Sequence, residues 1–290
     1  MATVLHAGRS ARRSIHSALL WGVSVLALLL VLFLVVDILW LVVVKGAPGL
    51  HFTTFSTDTT GIAGGLQNAI LGTLQLILFS ALIAGPIGIL GGAYMALFAG
   101  ARSARILRFV SDVMAGVPSI VIGYFGYTVM VEHWGWGFSS LAGAISLAML
   151  TLPYIVRTTE SSLRQVPKSY YEGALALGLS PTTALRTVLF RPALPGILTG
   201  MLLAVSIGLG ETAPLIYTAG WSNFNPTMQL FKNPIGYLTY VVWTYLNEPY
   251  DAAHQLAYTA ALLLVLLVMC LHIIVRVLQR RGTDPSQLRS

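Results

Sequence analysis

The sequence predicts an all-α, polytopic membrane protein with six spanning helices. Three observations carry that prediction. Charged residues are 9% of the 290, against roughly 25% in a typical soluble domain. Apolar residues make up 56% and the mean hydropathy is +0.78. The apolar residues are gathered into six long runs, and nearly all Lys and Arg sit on alternate connections between them. A net charge of +7 placed at span ends follows the positive-inside rule, whereas nucleic-acid binding needs one contiguous basic face. Cys270 stands alone in an apolar run and can form no disulfide within the chain.

Ala18–Val44 is apolar apart from Asp37 and follows Arg9, Arg12 and Arg13. A cleaved leader has an apolar core of only about 7–15 residues, so this longer run predicts an uncleaved first span. Lys45–Gly65 is a polar loop, and the second span covers about Leu66–Ala99. Its Gly72, Gly85, Gly88, Gly91 and Gly92 suit close helix packing in lipid, and Pro86 is expected to kink it. The third span covers about Val110–Val131, with Asp112 near enough to Arg108 to predict a local ion pair. Within it, Gly116-Val117-Pro118-Ser119 breaks the helix, and the freed backbone must face protein or water. Glu132–Gly137 makes a short outer turn whose Trp134 and Trp136 suit a headgroup belt, and His133 reads as a lone surface histidine.

The fourth span runs from about Phe138 to Val156 and includes Pro153, and the fifth from near Ala193 to near Ala219. The fifth holds Gly208-Leu209-Gly210-Glu211-Thr212-Ala213-Pro214. An ionised carboxylate at that depth costs at least ~2.5 kcal/mol and needs a partner, water or a proton. Glu211, Thr212 and Pro214 therefore read as part of a substrate path or gate, with structural pairing between spans as the alternative. Gly220–His254 is an outer, aromatic segment in which Ile235–Leu246 is expected to lie in the interface or dip into it. The sixth span covers about Gln255–Val277 and a basic tail follows.

Of the 17 Lys and Arg, only Lys45 and Lys232 fall on the opposite side from the rest. The asymmetry predicts that both termini are cytoplasmic. The organisation is then a cytoplasmic segment 1–17, a spanning domain 18–281 and a cytoplasmic tail 282–290. Within the domain lie cytoplasmic helices at about 157–192 and an outer aromatic loop at about 220–254.

The polar insertion Arg157–Pro195 reads as two short helices broken at Gly178-Leu179-Ser180-Pro181, where Gly ends one and Ser-Pro starts the next. Glu172, Ala176 and Leu179 fall on one face, and Ala174, Leu175 and Leu177 add apolar surface. Such a small helix outside the membrane suits a groove on a soluble partner. No GxxxxGK[ST] sequence occurs, so the chain cannot cradle nucleotide phosphates by that route, and no Cys/His/carboxylate set suggests metal or nucleophilic chemistry. A moving part without an engine places the engine on another chain.

Glu172-Gly173-Ala174 with Gly178 resembles the EAA motif of ABC-importer permeases, the coupling helix that docks on an ATPase subunit, and Pro192, Leu194 and Pro195 resemble its close. Gly173 stands where Ala is usual and Arg191 where Pro is usual. GVPSIVIG (Gly116–Gly123), LPYIVRTTE (Leu152–Glu160), ALALGLS (Ala174–Ser180) and GETAPLIYTA (Gly210–Ala219) are similar to the PstA type of phosphate-importer permease. The resemblance implies a MetI-like six-helix permease in the cell inner membrane, working with a PstC-type permease, a PstB-type ATPase dimer and a PstS-type phosphate-binding protein. It implies no cofactor on this chain, no catalysis by it, and ATP used by the partner. It makes Glu172, Gly173, Ala174 and Gly178 the ATPase-coupling residues. Glu211, Thr212, Pro214, Arg157, Pro118 and Ser119 form the expected pathway set. Relatives commonly carry Arg where this chain has Ile207, so cationic groups would come from Arg157 or the partner permease. The competing readings are a permease for another oxyanion (sulfate, molybdate or phosphonate) and an ion-coupled secondary transporter, which would need intramembrane charge networks.

Overall fold

The computed structural model describes residues 3–61 and 63–282, with side chains from Ser17 to Val277 apart from Ile62. The expectations for the basic ends, resting on Arg9, Arg12, Arg13, Arg280, Arg281 and Arg289, fall outside those side chains. Apart from a hairpin of β1 (Thr59–Thr60) and β2 (Ala63–Gly64), paired antiparallel with Thr59 opposite Gly64, the described elements are helical. They are α1 (Thr3–Gly46), α2 (Phe52–Ser56), α3 (Gln67–Ala93), α4 (Ala101–Gly116), α5 (Ser119–Gly126) and α6 (Ser140–Gln165). Then follow α7 (Lys168–Ala176), α8 (Pro181–Ala184), α9 (Phe190–Gly210), α10 (Ala213–Thr218), α11 (Leu238–Tyr245) and α12 (Asp251–Gly282). Single π-helical turns at Tyr94–Phe98, Tyr127–His133 and Leu185–Leu189 extend α3, extend α5 and join α8 to α9.

Among the described residues, five helical runs are long and apolar enough to cross a membrane: Ser17–Gly49, Gln67–Phe98, Ser140–Gln165, Pro181–Gly210 and Asp251–Val277. The third expected span is not a straight helix. Ala101–Gly116 and Ser119–His133 meet at 93°. Pro118 supplies no N–H and forces Val117 into extended backbone (φ −71, ψ 127), so the chain turns there and continues in a new direction. The fifth span also begins earlier than expected, at Pro181 rather than near Ala193, because α8, the π turn and α9 run on without a break. Likewise α6 carries on past Val156 to Gln165, so most of the polar insertion belongs to spanning helices. What stays outside them is Val166–Ser180, containing α7. The helix break falls where expected, at Gly178 with φ +82, and the Ser180 hydroxyl caps the next helix by accepting from Thr183 N–H at 3.2 Å.

The core forms where α3, α6 and α9 lie against one another through small residues. A Cβ on Gly88 would sit 2.6 Å from Ile155 Cγ2, and one on Gly92 2.6 Å from the Val156 carbonyl oxygen. Gly196 and Gly200 of α9 likewise lie directly against Ser162 and Thr158 of α6. In lipid there is no hydrophobic gain from hiding apolar surface, so close backbone approach supplies the van der Waals contact that holds helices together. Leu76, Leu147, Leu215, Ala219, Ile235 and Tyr237 fill the adjoining space toward α10.

The short helix α11, expected to lie in the interface or dip into it, packs against neighbouring helices. Leu238 and Val241 are fully buried, packed with Leu66, Ala69, Ala253, Leu256, Ala257 and Ala260 between α3 and α12. Leu238, Val241 and Tyr245 form a single stripe that faces inward, while Trp243 stays exposed. Asn68 ties the outer loops together: its Oδ1 accepts from Thr59 N–H at 3.1 Å and its Nδ2 donates to the Ser222 carbonyl at 2.9 Å. Lys232 N–H donates to the Trp136 carbonyl at 2.7 Å, and the Lys45 ammonium stands 4.9 Å from the Tyr258 ring.

The contact of α3 on α6 makes a sharp test. Gly92→Val is expected to abolish recovery of folded protein in detergent, because its side chain meets backbone on α6. Gly91→Ala, whose Cβ would meet only Val156 Cγ2 at 3.6 Å, is expected to leave yield and melting temperature near wild type. Equal recovery of both variants would contradict the packing described.

Candidate functional site

Helix α9 ends at Gly210, and Glu211 takes up extended backbone (φ −78, ψ 132) before Thr212 caps α10. The sequence demands this break. Pro214 has no N–H to give the Gly210 carbonyl, and Gly210 sits where a Cβ would meet open space. The break lies inside the membrane. Gly208 faces Ile77 of α3 and Thr151 of α6, about ten residues in from the N-terminal ends of those helices, which at ~1.5 Å per residue is roughly 15 Å deep. Broken helices persist at that depth only if their freed backbone groups find partners. Here Thr239 Oγ1 of α11 donates to the Glu211 carbonyl at 2.8 Å, and Glu211 N–H donates to the Gly208 carbonyl at 3.2 Å.

The second break faces the first. Ser119 opens α5 immediately after the 93° bend, and its hydroxyl lies near the Glu211 carboxylate. A few residues on, α5 rests directly on α10: a Cβ on Gly123 would lie 2.6 Å from Pro214 Cα, and one on Gly126 2.8 Å from Thr218 Cγ2. Pro118, Ser119, Glu211, Thr212 and Pro214, expected from sequence to share a site, are thus brought together. Pro118 and Gly210 are exposed, Ser119, Glu211 and Thr212 are half-buried, and Pro214 is buried. Behind Glu211 a cavity of about 10 Å³, lined by Thr73, Leu147, Tyr237 and Thr239 among others, has room for about one water molecule. The arrangement offers a half-depth carboxylate flanked by hydroxyls on an open face of the bundle.

Arg157 is held elsewhere. Its guanidinium pairs with Asp112 of α4, which replaces the expected Asp112–Arg108 pair. Arg108 reaches instead to Glu160: its Nε lies 2.9 Å from Glu160 Oε1 and 3.2 Å from Oε2. Arg108 Nη2 also donates to Glu160 Oε1, Arg164 Nε adds a fourth bond to Glu160 at 2.9 Å, and Arg164 Nη2 donates to the Met95 carbonyl at 3.0 Å. Glu160 is only 4% exposed. In the sequence it falls within the polar insertion, and Glu211 is the carboxylate that reads as deep. The signal present was its spacing of four from Arg164, which pairs only if α6 continues as a helix.

Of the residues expected to couple to an ATPase, Glu172, Gly173 and Ala174 lie on α7, beyond the end of α6, and Gly178 follows it. Glu172, Gly173 and Gly178 are exposed, whereas Ala174 is buried at 4% exposure. Leu177 at the tip is 85% exposed. Tyr171 of α7 packs with Leu163, Leu189, Ala193 and Ala96, so α7 is seated on neighbouring ends of α3, α6 and α9 while its opposite face is exposed.

A family model described as binding-protein-dependent transport system inner membrane component matches residues 88–283. Curated relatives include the phosphate transport system permease protein PstA 2 of Mycobacterium bovis, 45% identical over 94% of this chain and 92% of that protein. The phosphate transport system permease protein PstA of Haemophilus influenzae is 39% identical over 91% of this chain and 94% of that protein. Among solved structures, the inward-facing MetNI methionine ABC transporter aligns with a TM-score of 0.59 at 20% identity, covering 76% of this chain and 96% of that one. This last likeness concerns the fold.

The meeting of the two breaks is testable with thiols. With Cys270→Ser as background, the pair Ser119→Cys and Glu211→Cys is expected to lose maleimide labelling after mild oxidation, while either single variant keeps it. Full labelling of the oxidised double variant would contradict the juxtaposition.

Proposed function

Because the chain belongs to the binding-protein-dependent transport system inner membrane component family, we propose that it is the permease subunit that forms half of the pathway of an ATP-driven importer of inorganic phosphate. It is a multi-pass membrane protein and a permease subunit rather than an enzyme. The observation that supports phosphate as cargo is the likeness, over more than nine-tenths of the chain, to proteins named phosphate transport system permeases. In this reading both termini and α7 are cytoplasmic, since Arg102, Arg105, Arg186 and Lys168 share one side and Lys45 and Lys232 the other. The companions are a PstC-type permease, a PstB-type ATPase dimer docking on α7, and a PstS-type binding protein delivering the anion to the outer face.

The Glu211 site adds a physical ground for selectivity. Phosphate near neutral pH keeps one or two protons and sulfate keeps none. A carboxylate only accepts hydrogen bonds, so it favours an oxyanion that has a proton to give and repels one that has none. Ser119 and Thr212 supply hydroxyls at the same place. Ile207 leaves the site without a cation of its own and Arg157 is taken up by Asp112, so the compensating positive charge is assigned to the partner permease.

Two outcomes test this reading. Glu211→Gln is expected to lower phosphate uptake by the assembled transporter roughly tenfold, about 1.4 kcal/mol at the transport barrier, with unchanged co-purification of the other subunits. Wild-type uptake in that variant would remove Glu211 from the pathway, and uptake of labelled sulfate in preference to phosphate by the unmodified transporter would change the cargo. Glu172→Lys is expected to reduce the ATPase recovered with the permease several-fold, as a charge placed wrongly on a docking helix does. Undiminished recovery would count against α7 as the docking element.

A further inference from the structure

The helix that carries the first break, α4, is fixed to the bundle by charge more than by packing. Of its residues only Ala104 and Ser111 are buried, and Ile106, Phe109, Val110 and Val113 are exposed. Two ion pairs join it to α6, Arg108–Glu160 and Asp112–Arg157. On the other side of the joint, α6 is locked to α3: a Cβ on Gly92 would come 2.6 Å from Thr159 Cβ and 3.0 Å from Glu160 N. Arg164 extends the clasp to the Met95 carbonyl, which belongs to the π turn ending α3. Glu160 is therefore the point where α3, α4 and α6 meet. Hollows of about 500 and 530 Å³ open beside it, leaving room for α4 to move if the clasp shifts.

Two further facts give that point a direction. Downstream of Glu160, α6 has barely more than a turn left before Pro167 and α7, and π turns flank the seat of α7 at Tyr94–Phe98 and Leu185–Leu189. Such turns mark places where a helix deforms in function. Upstream of the break, Arg108 stands about two helical turns from Gly116, after which Ser119 lies near Glu211.

We propose that Glu160, clasped by Arg108 and Arg164, is the positioning residue that converts displacement of α7 into movement of α4 and so opens the contact between Ser119 and Glu211. The carboxylate touches no cargo. It acts through the bidentate hold on Arg108, which a rigid α6 passes on to a loosely packed α4. The inference rests on the reading of α7 as the ATPase-coupling helix.

The test uses the complete transporter in vesicles, with phosphate uptake and ATP hydrolysis measured together. Wild-type vesicles must first take up phosphate with ATP, and their failure to do so would overturn the parent reading along with this one. Given that uptake, Glu160→Gln is expected to lower the phosphate moved per ATP roughly tenfold while the rate of hydrolysis changes less than about twofold. Glu160→Asp is expected to recover part of the ratio, because the charge is kept. Arg108→Lys retains charge but loses the fork that binds both carboxylate oxygens, so its ratio is expected to fall several-fold with assembly intact. An unchanged ratio in Glu160→Gln would overturn the proposal. If Glu160→Gln does not assemble, the ratio in Arg108→Lys decides in the same way.

Discussion

An unpaired backbone N–H or C=O has no water to turn to inside a bilayer, and this constraint governs the structure. A chain that interrupts a helix at half depth must provide a protein partner for each freed group or leave it facing an aqueous path. This one interrupts two, at Val117–Pro118 and at Glu211–Thr212, and places the breaks against each other. Thr239 of α11 donates to the Glu211 carbonyl, which explains why a short helix from the outer loop is drawn into the core. Leu238 N–H in turn donates to Thr73 Oγ1 of α3 at 2.9 Å. The outer segment is thus a structural support for the interrupted helix α9, and its burial follows from the need to satisfy the break.

The end of the bundle where α7 sits obeys a different logic. There the backbones are helical almost throughout; α3, α6 and α9 join through the apolar cluster of Ala93, Leu163, Leu189, Ala193 and Ile197, while α4 joins α6 through charged side chains. A buried carboxylate held by two guanidiniums is costly to desolvate and costly to disrupt, and its value lies in fixing one geometry. The glycine-lined contact of α3 and α6 makes a stiff beam, α7 sits at its end, and α4 hangs from it through ion pairs. A close-packed contact of α3 on α6, with α4 jointed to it by charge, suits a device that, on the proposed function, turns a push on α7 into an opening.

The features legible in the sequence were those written in composition and punctuation. The spans follow from apolar length, and the site at Glu211 follows from Gly210, Pro214 and a carboxylate in an apolar run. The break after α7 follows from Gly178 and Ser180-Pro181. Direction was not legible: run length counts residues and says nothing about the 93° turn at Pro118. Glu160 was hidden because charges beyond an estimated span end read as solvated surface, and only the continuation of α6 to Gln165 makes it a buried hub. Asp112 was assigned to Arg108 by nearness in sequence, whereas the bend turns it toward Arg157.

The central claim is that the face bearing the two breaks opens alternately to the two sides of the membrane as the docked ATPase cycles. Ile120, exposed on α5 one residue after Ser119, reports on that face. With Ile120→Cys in a chain carrying Cys270→Ser, reactivity toward a charged, impermeant thiol reagent is to be measured from each side of vesicles holding the complete transporter, with and without trapped ATP. The account predicts that the thiol reacts from the cytoplasmic side in one state and from the outer side in the other. Equal reactivity in both states, or labelling that ignores nucleotide, would contradict it.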